Sequence, residues 1–294
     1  MGHMGMTQQK HFFDVTEISQ RVKVEKPYFA FQQLWSDEDS LVGTFSSEQP
    51  LVYEAGLITA GELGRHMAIL GSCTAAALHN GPEGYYLATK AHFIRKQNNQ
   101  TVAHGRFYAS SRVLHLDKRS LKVSAQAWNS EPVAELICEY TILSPALFQR
   151  NFRHYANDSL STPSNSPYKR PVPIYNLMLQ HDRLDACAGP LSPLQCAGHF
   201  SGYPCWPVAI ISQTAFQVTG ELLKKIYGTG TRFCVWDTQL SAEKLIGAGS
   251  VLKFRIEIMA APENANQLKS TVSVYKDDEL VAYLENQLEL VLAG

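Results

Sequence analysis

The chain has 294 residues, with 26 Lys and Arg residues against 27 Asp and Glu residues, and 45% of its residues are hydrophobic. A near-neutral charge without long runs of one sign gives no electrostatic footprint for nucleic acid or for an anionic membrane, so we expect neither as a partner. At roughly 150 residues per domain, this length predicts about two domains.

The first residues contain no apolar signal region, so we expect no targeting segment there. Residues Met1–Met6 are typical of a cloning scar and are left out of the fold prediction. No stretch approaches ~18 consecutive apolar residues, which predicts a cytoplasmic protein. The six cysteines form no Cys-x-x-Cys pair and are too sparse for a disulfide framework, so we expect buried free thiols and no metal site.

A polar, proline-rich stretch without periodicity divides the chain near its middle. We predict a first unit at 7–154, a linker at 155–172 and a second unit at 173–294. The two units share one order of predicted elements: a helix at 61–78 precedes strands at 85–95, 102–115, 121–128 and 133–143, and a helix at 209–227 precedes strands at 232–239, 251–259, 269–276 and 280–290.

The strand predictions rest on period-two alternation. In residues 251–258 one face carries the apolar side chains of Leu252, Phe254, Ile256 and Ile258. One apolar and one polar face are typical of an antiparallel sheet. Small residues such as Gly64 and Gly71 predict a first helix that other backbone approaches closely. We therefore predict an α+β fold made of two copies of one unit, each a long helix against a curled antiparallel sheet.

A short loop before the second predicted helix carries the clearest motif, Gly-His-Phe-Ser-Gly-Tyr-Pro-Cys-Trp-Pro-Val at 198–208. It resembles the signature His-Phe-x-Gly-x-Pro-x-x-Pro-Gly of the bacterial β-hydroxyacyl-acyl carrier protein dehydratases of the hot-dog fold. Val208 stands where the signature ends in Gly, and the other positions match in register: His199, Phe200, Gly202, Pro204 and Pro207. The resemblance implies a double hot-dog that forms a pseudo-dimer.

In that family an acidic residue lies on the helix fourteen positions after the loop His, and each site combines the two groups from opposite units. Fourteen positions after His199 this chain has Gln213, an amide that moves no proton at neutral pH. Alignment of the strand at 85–95 with the corresponding family strand places the acid of the first half at Glu62, and Glu54 is the alternative. Fourteen positions before Glu62 lies Glu48, where the family has His.

The complementary gaps predict one complete site, made of His199 and Glu62, and one degenerate site marked by Glu48 and Gln213. The resemblance implies a lyase that dehydrates a 3-hydroxyacyl thioester to the trans-2-enoyl thioester in fatty acid or polyketide-type biosynthesis. His199 would take the C2 proton, and Glu62 would protonate the leaving hydroxyl. Further substrate-binding residues are expected at Val208, Gly202, Gln217, His66, Tyr203 and Trp206.

The expected substrate travels on the phosphopantetheine of an acyl carrier protein or of coenzyme A, with no other cofactor. Whether the pseudo-dimer forms a homodimer stays open. Two other functions compete with dehydration. One is a hot-dog acyl thioesterase in which Glu62 activates water, and the other is a degenerate acyl-binding or scaffold protein. The His-Phe-x-Gly-x-Pro loop favours the dehydratase.

Overall fold

The computed structural model describes residues 10–96, 105–157, 163–260 and 266–291. The helices α1 to α4 lie at Val15–Arg21, Ala60–Leu78, Pro145–Phe152 and Val208–Tyr227. The strands β1 to β7 lie at Phe12–Phe13, Gln33–Asp37, Ser40–Ser46, Tyr85–Arg95, Arg106–Leu116, Ser120–Trp128 and Pro132–Leu143. The strands β8 to β13 lie at Ile174–Gln180, Arg183–Ala188, Arg232–Ser241, Leu252–Ala260, Gln267–Lys276 and Glu279–Val291.

Across the described ranges these strands form one antiparallel sheet in the order β1, β2, β3, β5, β6, β7, β4, β10, β13, β12, β11, β9, β8. Counted outward from the central β4–β10 pair, both halves follow the same order, with β7, β6, β5, β3 and β2 matching β13, β12, β11, β9 and β8. The central pair has Phe93 opposite Thr238. The fold is therefore a double hot-dog, in which the two units share a continuous sheet.

The principal elements of the sequence prediction are confirmed to within a few residues. The strand predicted at 102–115 begins at Arg106, and its first residues lie outside the described part of the chain. The sequence analysis missed α1, α3, β1 to β3, β8 and β9. These elements are short, and β1 and β8 are the two edges of the sheet, so the strands among them depend on pairing with neighbours rather than on their own periodicity.

The central helices pack against the concave side of the sheet and against each other. α2 is buried along most of its length and contacts β3, β5, β6 and α4. A Cβ at Gly61 would lie 3.0 to 3.3 Å from Gln213 of α4, so backbone approaches closely there. At Gly71 the neighbours are instead the side chains of Tyr140 and Val123, and at Gly64 no atom lies within 4 Å. The prediction that other backbone approaches closely is thus wrong for both Gly64 and Gly71.

The cysteines are all free, and five of them are buried while Cys187 is half-buried. The buried-thiol prediction is confirmed for those five. None of the helices in the described ranges is long and apolar enough to cross a membrane.

Candidate active site

A cavity of about 130 Å³ lies between the two units, bounded by α2, α4 and the central strands β4 and β10. Its walls are largely apolar, with Ala68, Ile69, Phe93, Leu136, Phe216 and Leu240 among the lining residues. His199 lies in its wall, and the exposed residues Glu243 and Lys244 also line it. A largely apolar lining with a few polar groups, His199 among them, suits a ligand with a hydrocarbon chain.

The loop that carries His199 is held by the first unit. The Glu25 N–H donates to the Gly198 carbonyl at 2.7 Å, and the Phe200 N–H donates to the Lys23 carbonyl at 3.2 Å. Gly198 has φ +81°, and a Cβ there would collide with the Glu25 carbonyl. The two units thus fix the position of the imidazole together.

The imidazole of His199 is buried and neutral. Burial lowers its pKa from 6.5 to about 3. Its Nδ1 lies 3.3 Å from Sγ of Cys205, and burial holds the pKa of that thiol well above its usual range. Nε2 has no hydrogen-bond partner within the described residues. A buried imidazole beside a protonated thiol is neutral and free to accept a proton, although its lowered pKa makes it a weaker base than an exposed histidine, and it is not half of a thiolate–imidazolium pair.

The start of α4 reaches the same cavity. Pro207 is its N-cap and supplies no side-chain hydrogen bond. The N–H groups of Val208 and Ala209 have no acceptor in the part of the chain that the structure describes, and both residues line the cavity. Free N–H groups at a helix start attract partial negative charge. They can therefore polarise a carbonyl close to His199.

Glu62 lies elsewhere. Its carboxylate accepts hydrogen bonds from the backbone N–H groups of Glu48, at 2.7 Å, and Gln49, at 3.1 Å, and lies 3.6 Å from Nε2 of His66. Burial raises its pKa, but the contacts with His66, Arg65 and the Glu48 N–H outweigh this and lower it overall. Glu62 is ionised and does not line the cavity of His199. The structure does not bring the predicted acid and base together.

The helix register explains the displacement. α2 begins at Ala60 and α4 at Val208, so the sixth residue of each helix is Arg65 and Gln213. Arg65, not Glu62, is therefore the counterpart of Gln213, and it lines the cavity with His199. Sequence reasoning missed this residue. The signal was Thr59-x-x-Glu62, a capping-box pattern that predicts the helix start, and Thr59 Oγ1 indeed accepts from the Glu62 N–H.

The counterpart site is a cavity of about 30 Å³ lined by Glu54, Thr59, Gln213 and Gln217, among others. Two of its polar lining residues are hydrogen-bonded to Gln49: Gln49 Nε2 donates to Gln213 Oε1 at 2.9 Å, and Thr59 Oγ1 donates to Gln49 Oε1 at 2.8 Å. Gln217 thus faces this small cavity rather than that of His199.

The remaining predicted residues divide between the cavity and its surroundings. Trp206 lines the cavity, and its Nε1 donates to the Ser250 carbonyl at 3.1 Å. Tyr203 packs against Tyr85 and Phe148 outside it, and Gly202 lies at the outer side of the loop. His66 is in the core of the first unit, stacked on Phe45 at 4.2 Å. Glu48 binds Arg65 at 2.6 Å.

In the described ranges no cluster of three or more His, Cys, Asp or Glu side chains could hold a metal ion.

No protein-family model matches the chain, and no curated protein matches it. Solved structures share its fold. The acyl-CoA thioesterase II TesB2 from Mycobacterium marinum superposes with a TM-score of 0.53 at 9% identity, over 95% of this chain and 98% of that one. The 12:0-ACP thioesterase from Umbellularia californica gives 0.53 at 9% identity, over 91% and 100%. A hot-dog protein of unknown function from Alicyclobacillus acidocaldarius gives 0.54 at 11% identity, over 89% and 96%.

These likenesses confirm the hot-dog fold over nearly the whole chain and correct the functional expectation. The structures with a stated activity are thioesterases, which are hydrolases, whereas the sequence analysis expected a lyase. The separation of Glu62 from the cavity of His199 agrees with this correction. The dehydratase prediction, with its place in fatty acid or polyketide-type biosynthesis, is wrong.

Proposed function

We propose that the protein hydrolyses an acyl thioester carried on coenzyme A or on an acyl carrier protein. One observation carries the proposal: a neutral imidazole, His199, and the free N–H groups at the start of α4 meet in a largely apolar cavity between the units. The stated activities of the similar structures, on acyl-CoA and acyl-ACP thioesters, support it.

Hydrolysis needs a base for the attacking water and donors for the carbonyl oxygen. His199 takes one proton from the water, whose oxygen bonds to the thioester carbon. The carbonyl oxygen gains negative charge and is stabilised by the N–H groups of Val208 and Ala209. The C–S bond then breaks, and the proton held by His199 passes to the leaving thiolate, which gives a carboxylic acid and a free thiol.

The tautomer of His199 follows from this role. If Nε2 accepts the water proton, Nδ1 must carry hydrogen and donate to Sγ of Cys205, which lies 3.3 Å away. A thiol sulfur is a weak acceptor, but in this buried position it holds the ring in one orientation. Cys205 is thus a positioning residue for the base.

Hydrolysis fits the cavity better than elimination does. Elimination needs an acid beside the leaving hydroxyl, and the charged side chain from α2 in this place is Arg65. A guanidinium keeps its protons at any physiological pH and cannot serve as that acid. Glu62 does not activate the water in this proposal either, because its ionised carboxylate is already hydrogen-bonded to the N–H groups of Glu48 and Gln49.

The test is release of free thiol from acyl-CoA and acyl-pantetheine substrates of four to sixteen carbons, followed with a thiol reagent. We expect His199→Gln to lower kcat/KM by about 100-fold or more, because general-base catalysis typically contributes that much. His115→Gln is the matched control, since His115 is exposed, lies outside the cavity and bonds to Asp117. Full activity in His199→Gln would overturn the assignment of the base.

Two further outcomes separate the rival functions. When equal amounts of folded protein are compared, Glu62→Gln should have a kcat within a few-fold of that of the wild type. Loss of activity in this variant would instead identify Glu62 as the group that activates water. Tight binding of an acyl thioester without thiol release would instead identify an acyl-binding protein.

A further inference from the structure

Arg65 has hydrogen-bond donors that the protein leaves unused. The side chain is 1% exposed, and its Nη2 donates to Glu48 Oε1 at 2.6 Å and contacts His66 Nε2 at 3.3 Å. Its Nε and Nη1 have no hydrogen-bond partner among the described residues. Buried donors are nearly always satisfied in native proteins, so two orphans on one guanidinium call for a partner from outside the described residues, a bound water or a ligand.

The guanidinium that carries these donors is held in place in the wall of the cavity of His199. The guanidinium carbon of Arg65 lies 5.4 Å from the ring centre of Tyr28 and 5.1 Å from that of Tyr168. The Tyr28 ring is in turn 4.9 Å from the His199 ring. Arg65, Tyr28 and His199 all line the same cavity. The two tyrosines hold the planar group in one orientation, as expected for a residue that recognises a ligand geometrically.

The charge of Arg65 is already compensated. Glu48 forms an ion pair with it, and the ionised Glu62 lies nearby on the same helix. A carboxylate on the substrate would add a further negative charge to a buried cluster that has no spare positive charge. A neutral oxygen acceptor meets the free N–H groups without that cost. Ketone and hydroxyl oxygens are such acceptors.

We propose that Arg65 selects acyl thioesters whose chain carries a keto or hydroxyl oxygen within a few carbons of the thioester. This inference rests on the proposed thioesterase function, in which the thioester carbonyl itself takes the N–H groups of Val208 and Ala209. A plain hydrocarbon chain would cover the free donors of Arg65 without pairing them. A site built to bond an oxygen discriminates strongly against the analogue that lacks it.

The experiment compares decanoyl-CoA, 3-oxodecanoyl-CoA and 3-hydroxydecanoyl-CoA, with thiol release as the readout. We expect kcat/KM for at least one oxygenated substrate to exceed that for decanoyl-CoA by about 10-fold or more, mainly through KM. The double variant Arg65→Met/Glu48→Gln removes the donors together with their counter-charge, and it should abolish the preference. Arg95→Met is the matched control, because Arg95 is a buried arginine outside this cavity, and it should keep the preference.

A binding measurement keeps the inference testable if thiol release fails. Non-hydrolysable S-(2-oxoalkyl)-CoA thioethers, with and without a further keto group two carbons beyond the first, are titrated by calorimetry. We expect the wild type to bind the ligand with the second keto group about 10-fold more tightly than the ligand without it. The double variant should bind the two ligands with equal affinity. Equal affinity, or a preference for a carboxylate-terminated chain, overturns the inference. Absence of thiol release from every substrate, with this binding preference intact, overturns the thioesterase function alone.

Discussion

Glu54 accepts a hydrogen bond of 2.8 Å from the backbone N–H of Ala60, so its carboxyl group caps the start of α2. The start of α4 carries no such side-chain cap. The two helices are counterparts in the double hot-dog, yet their first N–H groups differ. The carboxyl group of Glu54 accepts the N–H at the start of α2, whereas the N–H groups at the start of α4 remain free in the cavity of His199. This difference favours one working site per chain.

The free space beside Gly64 gives a direct test of where the substrate binds. Gly64 lines the cavity of His199, and an added Cβ would meet no atom within 4 Å. We expect Gly64→Leu to fill the cavity and abolish thiol release, while the helix gains about 0.5–1 kcal/mol because Gly is a poor helix former. Melting temperature and thiol release are measured together. A stable variant with undiminished hydrolysis would show that the substrate binds elsewhere. The small cavity lined by Gln213 and Gln217 would then be the next candidate.

Burial of Glu54 predicts a pH dependence of stability. Burial raises its pKa from 4.5 to about 7, opposed by Arg95 and by the Ala60 N–H. The folded state therefore holds the proton more tightly than the unfolded chain does. The contribution of Glu54 to the free energy of unfolding is therefore complete below pH 4.5. It is lost as the pH rises to about 7, and the total loss is about 3 kcal/mol.

Urea unfolding of wild type and Glu54→Gln at pH 5, 6, 7 and 8 measures this contribution, because the other titrating groups cancel in the difference. Wild type should lose stability relative to the amide variant as pH rises. Parallel pH curves for the two proteins would show that Glu54 titrates normally.

The pKa of His199 predicts the pH profile of hydrolysis. With a pKa of about 3 the free imidazole is unprotonated from pH 5 to pH 8. We therefore expect kcat/KM for thiol release to show no inflection near pH 6.5, where an exposed histidine base would titrate. Initial rates measured across this range test the expectation. If the rate instead falls as the pH drops through about 6.5, and His199→Gln lacks this fall, then water reaches the imidazole and its pKa is close to the ordinary value.

The loop backbone predicts a contrast between two glycines. Gly198→Ala places a Cβ against the Glu25 carbonyl at a positive φ, so we expect a loss of about 1–3 kcal/mol of stability and a displaced His199 with reduced hydrolysis. Gly249→Ala is the matched control, since an added Cβ there meets no atom within 4 Å. Chemical unfolding and thiol release distinguish the two. Equal behaviour of both variants would show that the loop yields without moving the imidazole.

Local signals predicted much of the architecture. Period-two alternation located the long strands, as in β11, where the buried residues are the apolar ones of the alternating pattern. Periodicity could not locate β8, whose side chains are mostly exposed, or the two-residue β1. Such segments become strands because a neighbouring strand supplies hydrogen-bond partners, and that information lies far away in the chain.

Local sequence patterns were sufficient to predict the repeated unit and the loop with His199, because each depends on residues that are neighbours in the chain. Which side chain of α2 lines the cavity of His199 depends on how the helices pack in three dimensions. The predicted start of this helix, residue 61, lies within one residue of Ala60, but the position of the acid was counted back from the strand at 85–95 through a loop without periodicity. An error of three residues in that count turns a side chain by about 60° around the helix. That rotation directs Glu62 to its own loop and Arg65 to the cavity.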